Sequence, residues 1–416
     1  MSRHIAVIGS GAIGSVSAIE LLRAGHRVTV IEPEAAGGEQ AASYGNAGWL
    51  SSHSVIPPAE PGVWKKVPGY ILDPLGPLAI RWPHLPKSAP WLVRYLLSGW
   101  TEARVEATAQ ALRPLLKDAP ALHKALAAEA GVPHLVAEGG VLHVYRDRSV
   151  FDADSLAWNI RARTGIAWRE LSGEALRAED PALPDRYGFA VAVDEAGRCR
   201  NPGAYVAALA ALAKSRGAVV EPARAIDFRF DNERLTGVVT DRGIVDCDGA
   251  VIAAGVHSAP LTRRLGDALP LESERGYHVM LEGVQTGMKT AFMASDAKMV
   301  VQQMEHGLRA AGQVEIASVE ASPDWRRAEI LRGHLAKMFP GVDVSQAKLW
   351  LGHRPSTPDG RPCIGLSRRS RDVVYAFGHG HVGLVSSART GRVVAQLVGG
   401  QAAEIPIAGL DPRRFL

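Results

Sequence analysis

Three glycines near the start of the chain have the spacing of a phosphate-binding turn. Gly9, Gly11 and Gly14 form G-x-G-x-x-G between a short apolar run and a helical pattern. The first glycine permits a tight turn, the second lets a pyrophosphate approach the backbone, and the third lets helix and strand pack closely. Ala12 and Ile13 would open the helix, whose N–H groups can hold phosphates. A glycine turn without a ligand is the alternative, but the strand and helix on either side favour a dinucleotide site.

A carboxylate follows at the end of the next predicted strand. Glu32 comes 18 residues after Gly14, where an acid can accept hydrogen bonds from the ribose hydroxyls of a dinucleotide. The same carboxylate would repel a 2′-phosphate, which argues against NADP. It does not distinguish NAD from FAD.

The elements that position these residues follow a βαβ pattern that recurs along the chain. We predict strands at 4–8 and 27–31, with a helix between them that ends near Ala24. A second unit has a helix at 204–216, a strand at 218–220, a hairpin at 235–246 and a buried strand at 249–255. A third piece has a strand at 373–377 and a helix at 382–398.

Segments of a different kind separate these three pieces. Residues 57–91 contain nine prolines, which predict interrupted structure there. Residues 92–130 are rich in Ala and Leu and are predicted to be helical. Strand-like runs dominate 271–318, and a helix is predicted at 323–338. The chain therefore alternates between two architectures.

Composition excludes several classes of protein. The chain has 416 residues, is 47% hydrophobic and 22% charged, and so can bury a large core. A net charge of +4 without a long basic run argues against a nucleic-acid partner. Three widely spaced cysteines support neither a disulfide framework nor a CxxC metal site, which favours a reducing, cytoplasmic compartment. The apolar run at 5–8 is too short for a signal peptide, and no window approaches the roughly 18 apolar residues of a membrane span.

Six further blocks carry a family resemblance. They are residues 42–48, 58–62, 72–78, 275–278, 350–360 and 378–384. In this order they resemble the D-amino-acid oxidase-like family of FAD-dependent oxidoreductases, most of all its bacterial D-amino-acid dehydrogenase and D-hydroxyproline dehydrogenase members. The resemblance spans essentially the whole chain. It implies FAD as the cofactor and decides between the two dinucleotides that Glu32 leaves open.

The resemblance also implies which residues contact the flavin. The predicted contacts outside the first glycine motif and Glu32 are Ser43, Asn46, Ala47, Gly48, Ala254, Gly255, Gly378, His379, Gly380, His381, Val382 and Gly383. The first four form a loop whose small residues allow close approach of the backbone. The turn at 378–383 would aim the start of a helix at the flavin pyrimidine, where its N–H groups and dipole stabilise negative charge.

Arg354 is the predicted substrate residue. An amino-acid carboxylate needs a planar fork of donors, which arginine provides, and the resemblance places this arginine facing the flavin. The alternative is an arginine that closes a loop against Asp359. Tyr277 and His278 lie on the strand that the family places over the substrate pocket, so either is expected to bond the carboxylate or the amine.

Two negative expectations concern metals and covalent flavin. His379 and His381 have no Cys or carboxylate cluster nearby, so we interpret them as hydrogen-bonding loop residues and predict no metal site. Covalently flavinylated members of the family use a cysteine near the substrate strand. Here Cys363 lies nine residues beyond Arg354, so FAD is expected to be non-covalent. His353 stands where many relatives carry a small or apolar residue, which suggests a different substrate side chain.

We therefore predict a mixed α/β fold in which a Rossmann-like FAD-binding domain is interleaved with a substrate domain built on an antiparallel or mixed sheet. The FAD-binding pieces are predicted at 1–52, 191–268 and 346–416, and the substrate pieces at 53–190 and 269–345.

The resemblance implies dehydrogenation of a D-amino acid or a cyclic imino acid such as D-hydroxyproline, by hydride transfer from Cα to the flavin. The product would be an imine and then a 2-oxo acid. Three alternatives stay open: an oxidase that uses O2 on glycine, sarcosine or a D-amino acid, a non-catalytic flavin electron-transfer subunit, and an NAD-linked dehydrogenase. Retention of Arg354 speaks against a pure electron carrier, and the 42–48 and 378–384 blocks speak against NAD.

The predicted partners are a small amino-acid substrate and an electron acceptor, either a quinone or another redox carrier. Residues 49–100 hold five of the nine tryptophans together with several basic residues. Amphipathic aromatics beside basic residues suit a membrane surface, so peripheral attachment to the inner face of a membrane is one interpretation and internal packing is the other. The sequence indicates no oligomeric state.

Overall fold

The computed structural model describes residues 2–62, 76 and 78–416. Trp64, Lys65, Lys66 and most of the 72–78 block lie outside the described residues. The described strands are β1 (His4–Ile8), β2 (Arg27–Ile31), β3 (Trp49–Leu50), β4 (Leu78–Ile80), β5 (Val136–Glu138), β6 (Val141–Tyr145), β7 (Arg169–Ser172), β8 (Phe189–Val193), β9 (Gly197–Cys199), β10 (Val219–Glu221), β11 (Ala225–Asp231), β12 (Arg234–Thr240), β13 (Gly243–Asp246), β14 (Gly249–Ile252), β15 (Glu272–Glu282), β16 (Ala291–Ala294), β17 (Met299–Met304), β18 (Gly307–Ile316), β19 (Lys348–Ser356), β20 (Cys363–Leu366) and β21 (Val373–Phe377). The described α-helices are α1 (Ala12–Arg23), α2 (Leu85–Ser98), α3 (Glu102–Leu116), α4 (Ala119–Glu129), α5 (Arg148–Asp152), α6 (Ser155–Arg163), α7 (Gly173–Glu179), α8 (Pro202–Ser215), α9 (Ser258–Arg264), α10 (Arg326–Met338) and α11 (Gly383–Val398).

A six-stranded sheet in the order β10-β2-β1-β14-β21-β20 is the frame of the predicted cofactor domain. Its strands are parallel except β20. After His4, β1 is apolar and buried, as is the whole of β14, because both faces of the sheet are covered here. Ile5 and Val251 pack towards α1 and α11, whereas Ala6 and Ile252 pack under the three-stranded sheet β11-β12-β13. The predicted βαβ units are confirmed.

A nine-stranded mixed sheet is the frame of the predicted substrate domain. Its order is β19-β15-β18-β17-β16-β6-β8-β7, with β4 paired to β18. Successive side chains of β15 point to opposite faces. The face that carries His278 contacts the 43–48 loop, and we call it the inner face. The outer face carries Tyr277 and Val279 and packs against Leu331 of α10.

The sheet pairings confirm the mixed α/β fold and its interleaving, but they contradict two predicted boundaries. The boundary at 191 cuts through β8, which lies wholly in the nine-stranded sheet. The boundary at 346 assigns β19 to the cofactor domain, although β19 pairs with β15. The pieces of the nine-stranded sheet therefore extend to Val193 and to Ser356.

Candidate active site

Loops from the parallel sheet meet at one edge, because the carboxyl ends of parallel strands lie together. Gly9 follows β1, Glu32 follows β2, and Ala254 and Gly255 follow β14. A Cβ at Gly9, where φ is +104°, would lie 2.6 Å from Ala253 O, so β1 and β14 leave the sheet in close contact. From β1 the sheet continues through β2 to one edge, and from β14 it continues through β21 to the other. Such a switch point between neighbouring strands forms a ligand crevice in open α/β sheets.

The three glycines of the first motif have different structural roles. A Cβ at Gly14 would collide with Gly9 O, so this glycine lets α1 pack against the turn. A Cβ at Gly11 would meet no heavy atom of the described residues within 4 Å. The N-cap residue of α1 is Gly11, which has no side chain to cap the helix, and the first turn, which begins with Ala12 and Ile13, contains no acid. The helix start therefore faces open space with N–H groups that have no intrahelical partners.

Glu32 closes this end of the crevice. Its Oε2 accepts from Ser10 N at 2.8 Å and from Ser10 Oγ at 3.3 Å, and its Oε1 accepts from Glu34 N at 3.2 Å. A cavity of about 210 Å³ lies beside it, with Val30 of β2 and Val220 of β10 in its lining. The carboxylate thus fixes the loop after β1 and borders a partly apolar space.

The loop at 43–48 is fixed by backbone geometry and by the nine-stranded sheet. Asn46 Oδ1 accepts from Gly48 N at 2.8 Å. Gly48 has φ of +78°, and a Cβ there would collide with Cys199 O. Arg309 Nη1 donates to Tyr44 O at 3.2 Å and to Asn46 O at 2.8 Å. Burial lowers the pKa of Arg309 to about 10. Ser43 and Ala47 are half-buried in the same loop.

His278 lies on the inner face, where it anchors this loop. Its Nδ1 lies 3.1 Å from Gly45 O, and its ring stacks on Trp350 with centroids 4.8 Å apart. The residue is 3% exposed, and burial lowers its pKa to about 3. The neutral imidazole therefore donates through Nδ1 to the carbonyl of Gly45 and supports this loop.

Tyr277 is not brought to the site. It lies on the outer face, where its hydroxyl donates to Glu315 Oε2 at 2.7 Å and its ring meets Trp325 edge-on. The structure does not bring Tyr277 together with His278 and Arg354, because alternation along β15 sends adjacent side chains to opposite faces. His353 is also on the outer face, with Nδ1 2.9 Å from Ser273 Oγ, so it does not face Arg354 either.

The turn at 378–383 joins β21 to α11. Gly378 and Gly380 have φ of +79° and +49°. His379 is buried and its Nε2 lies 3.2 Å from Thr390 Oγ1 of α11. Burial lowers the pKa of His379 to about 3, so this imidazole is neutral and ties the turn to the helix. Val382 is the N-cap residue of α11 and its apolar side chain makes no capping hydrogen bond, and the first turn of α11 contains no acid.

Arg354 lies on the inner face, beside this turn. Its side chain occupies the position that a Cβ of Gly276 would take. Arg354 is half-buried, and Nη1 donates to Gln313 O at 3.2 Å, which is its one hydrogen bond to the described part of the chain. The remaining donors are available to a carboxylate. The alternative ion pair with Asp359 is absent among the described residues, since Asp359 pairs with Arg361 and Arg414.

Glu274 was not predicted and lies next to Arg354. The two residues are directly opposite in the β15–β19 pairing. Glu274 Oε2 lies 3.0 Å from His381 Nε2 and accepts from Ser356 Oγ at 2.6 Å. No sequence motif marks this acid. Its position two residues before Gly276 on an alternating strand is the signal that would have placed it on the inner face.

These residues fit FAD. Two uncapped helix starts, α1 and α11, lead to the carboxyl edge without an acid in their first turns. Gly11 keeps the approach to α1 free of side chains, and a diphosphate suits such an N-terminus. Glu32 can accept from ribose hydroxyls. Among the described residues, no group of three or more His, Cys, Asp or Glu side chains could hold a metal.

Comparisons with known proteins agree with this geometry. The protein family described as "FAD dependent oxidoreductase" (DAO) matches residues 4–397. The chain is 62% identical to a D-amino-acid oxidase of Bradyrhizobium diazoefficiens over 100% of this chain and 99% of that protein. It is 32% identical to a D-amino acid dehydrogenase of Paramagnetospirillum magneticum, covering 99% and 98% of the two chains. The glycine oxidase structure from Geobacillus kaustophilus has a TM-score of 0.75 at 22% identity and covers 100% of this chain and 99% of its own, which shows a common fold.

Proposed function

The chain belongs to the FAD-dependent oxidoreductase family, and from that premise we propose that it oxidises a D-amino acid, or a cyclic imino acid such as D-hydroxyproline. The product is an imine, which hydrolyses to a 2-oxo acid or persists as a cyclic imine. The observation that carries the substrate class is Arg354. Among the described residues this half-buried guanidinium makes one hydrogen bond, to Gln313 O, and it lies on the inner face beside the 378–383 turn.

The chain's own residues bind and orient the donor. Arg354 holds the carboxylate through charge-assisted hydrogen bonds, which fixes the position of Cα. Bound FAD supplies the hydride acceptor. The residues proposed to hold it are the glycine turn with Ala12 and Ile13, Glu32, the 43–48 loop, Ala254 with Gly255, and the 378–383 turn. The uncapped start of α11 is placed to stabilise negative charge near this turn.

We propose that FAD is held without a covalent bond. Cys363 is fully buried on β20, and burial raises the pKa of its thiol to about 11. Cys199 and Cys247 are also buried, with pKa values raised to about 12 and 11. Neutral, enclosed thiols are poor nucleophiles. Acid precipitation of the holoenzyme should release all FAD into the supernatant, and a yellow pellet would contradict a non-covalent site.

The proposed acceptor is a quinone or another redox carrier, as for the dehydrogenases that the chain resembles. An oxidase that reduces O2 is the second candidate, and the 62% identical D-amino-acid oxidase favours it. Stopped-flow reoxidation of the reduced enzyme distinguishes the two. Rapid reoxidation in air indicates an oxidase, whereas rapid reoxidation by a quinone analogue with slow reaction in air indicates a dehydrogenase.

We propose that α2 attaches the protein to the surface of an anionic membrane. Its exposed face carries Val93 and Leu97 beside Lys87 and Arg94, and Trp82 and Trp100 flank the helix with exposures of 62% and 52%. In contrast, Trp49 and Trp91 are buried, so internal packing accounts for those two. No helix in the described ranges is long and apolar enough to cross a bilayer.

The helix α2 also lies next to the candidate site, because Trp91 Nε1 donates to Ser356 O at 3.1 Å.

Anaerobic reduction of the purified protein tests the proposed function. The protein should be yellow, and D-amino acids or D-hydroxyproline should bleach it faster than their L-enantiomers, glycine or sarcosine. Bleaching by glycine or sarcosine alone would refute the proposed substrate class. Bleaching by dithionite but by no amine would indicate an electron-transfer subunit.

A further inference from the structure

Arg309 is a buried arginine without an acidic partner in the described part of the chain. It lies on the inner face of β18, two residues before Ala311, which stands opposite His278 of β15. Arg309 is 7% exposed, and its Nε has no hydrogen-bond partner among the described residues. Burial lowers its pKa to about 10, which still leaves the guanidinium charged at neutral pH. Buried charges are normally paired, so this arginine departs from the usual pattern.

Among the described residues, no ionised acid balances Arg309 at neutral pH. The groups that act on its charge are the phenol of Tyr44 and the thiol of Cys199. Burial raises the pKa of both, that of Cys199 to about 12, so both are neutral at pH 7. The guanidinium instead donates to two backbone carbonyls of the 43–48 loop, Tyr44 O and Asn46 O. Carbonyl oxygens carry partial charges, so a net positive charge remains on the sheet side of this loop.

The inner face holds three successive carbonyl groups of the 43–48 loop. Arg309 binds the carbonyls of Tyr44 and Asn46, and His278 Nδ1 donates to the carbonyl of Gly45 between them. The orientation of these peptide groups is therefore fixed from one side of the loop by two buried side chains. One of the two is charged, and the other is a neutral imidazole.

Two N–H groups of the loop point away from Arg309. In a planar trans peptide the N–H is directed opposite to the C=O, so the N–H groups of Gly45 and Ala47 face the side of the loop that is opposite to the sheet. Neither donates to an acceptor among the described residues. The N–H groups of Asn46 and Gly48, in contrast, donate to acceptors within the loop. The loop thus presents two donors, each in a peptide group whose oxygen is bound by the cation.

The proposed reaction creates the charge that such donors stabilise. A hydride carries two electrons and one proton, so its transfer from Cα adds one negative charge to a neutral flavin ring. Donors that are already oriented stabilise a developing negative charge without reorganisation. A cation on the carbonyl oxygen polarises the peptide group and strengthens its N–H as a donor.

We propose that Arg309 is a positioning residue that holds the N–H groups of Gly45 and Ala47 towards the flavin ring, and that its charge favours binding of reduced over oxidised FAD. The inference rests on the proposed assignment of the 43–48 loop to FAD. Arg309 acts through this loop. Because binding and reduction are linked, tighter binding of the reduced form raises the reduction potential of bound FAD.

The midpoint potential of bound FAD tests the inference, measured anaerobically by dithionite reduction against a reference dye. In Arg309→Gln the ratio of the Kd values for oxidised and reduced FAD should fall about tenfold, which lowers the two-electron potential by about 30 mV. Glutamine can still donate to a loop carbonyl but carries no charge. Arg309→Lys keeps the charge and should keep this ratio within about threefold of the wild type.

His278→Leu is the matched control, because His278 also binds the loop but is neutral. This variant should weaken oxidised and reduced FAD by similar factors and keep their Kd ratio within about threefold of the wild type. Equal falls of the ratio in His278→Leu and Arg309→Gln would show that support of the loop alone sets it, and would overturn the role of the charge. An unchanged ratio in Arg309→Gln would overturn it as well.

A measurement on the wild-type holoenzyme covers the case in which Arg309→Gln does not fold. With isotopic nitrogen in glycine and alanine, the N–H proton resonances of Gly45 and Ala47 should move to lower field when FAD is reduced, and resonances that stay in place would overturn the inference. A protein that holds no FAD would overturn both the inference and the proposed function. A protein whose potential responds as expected but which oxidises no amino acid would overturn the proposed function alone.

Discussion

Replacing Gly11 with valine should strongly weaken cofactor binding and leave the fold intact. Gly11 has φ of −65° and ψ of −173°, an extended conformation that valine also adopts. A Cβ there meets no heavy atom within 4 Å in the part of the chain that the structure describes. The unfolding free energy of the apoprotein should therefore change by less than about 0.5 kcal/mol. The added side chain would instead occupy the space through which a pyrophosphate approaches the start of α1.

The expected loss of affinity follows from the contacts that the phosphates would lose. Displacement from two backbone N–H groups removes two charge-assisted hydrogen bonds, each contributing about 1.5–3 kcal/mol. The Kd for FAD should rise by a factor of about 10²–10⁴. Gly14→Ala is the matched control, because its Cβ would collide with Gly9 O. That overpacking should lower stability by about 1–3 kcal/mol or more even without FAD.

Two measurements decide the outcome. The first measurement is FAD binding: absorbance gives the amount of FAD bound per chain, and titration of the apoprotein followed by flavin fluorescence gives the Kd. The second is urea unfolding of the Gly11→Val and Gly14→Ala apoproteins, which gives their unfolding free energies. Stoichiometric FAD in Gly11→Val would refute the assignment of the glycine turn to the pyrophosphate. A Gly11→Val apoprotein as unstable as Gly14→Ala would refute the distinction between their roles.

Three further predictions concern the substrate, pH and the membrane. Arg354→Leu should keep its FAD but lose about 3–5 kcal/mol in kcat/KM, and near-normal kinetics would remove this arginine from the site. Burial lowers the pKa values of four histidines to between about 3 and 4, namely His123, His278, His353 and His379. Below pH 6.5 the unfolded chain therefore binds more protons than the folded chain. The unfolding free energy should fall by up to about 1.4 kcal/mol for each histidine as the pH is lowered by one unit. Equal unfolding free energies at pH 7 and pH 5, measured by urea unfolding, would contradict this. Co-sedimentation with phosphatidylglycerol vesicles should be salt-sensitive and weaker in Val93→Glu than in the control Ile244→Glu, whereas a protein that stays in the supernatant at low salt would refute membrane attachment.

The parallel sheet could be predicted from the sequence because its signals are local. Apolar runs at β1 and β14, the glycine turn, and the helical spacing of α1 each lie within a few residues of the chain. The prolines of 57–91 predict interrupted structure, and this prediction is wrong at the end of the range, where α2 begins. α2 begins at Leu85 with Pro86 in its first turn, where the missing N–H costs little. Pro90 lies inside the same helix, which Trp91 and Tyr95 hold against the sheet.

The nine-stranded sheet could be predicted only as a set of strands. Which strands are neighbours depends on pairings between distant segments, so β19 was assigned to the wrong sheet. The sequence also does not show on which face of the sheet each residue of β15 lies. Tyr277 and His278 are adjacent and equally suited to bind a carboxylate, but register with β19 places only His278 on the inner face. A shift of one residue would exchange their roles.

Glu274 shows why the most informative part of the site depends on tertiary structure. Its partners Arg354 and His381 lie 80 and 107 residues further along the chain, and no local pattern links them. Gly276 links Arg354 to β15, because a residue without a Cβ is required where the Arg354 side chain crosses this strand. Once that glycine is placed on the inner face, alternation places Glu274 and His278 there too. The same strand thus supplies the anchor of the 43–48 loop and the acid beside the proposed substrate arginine, so one register can fix the proposed cofactor and substrate sites relative to each other.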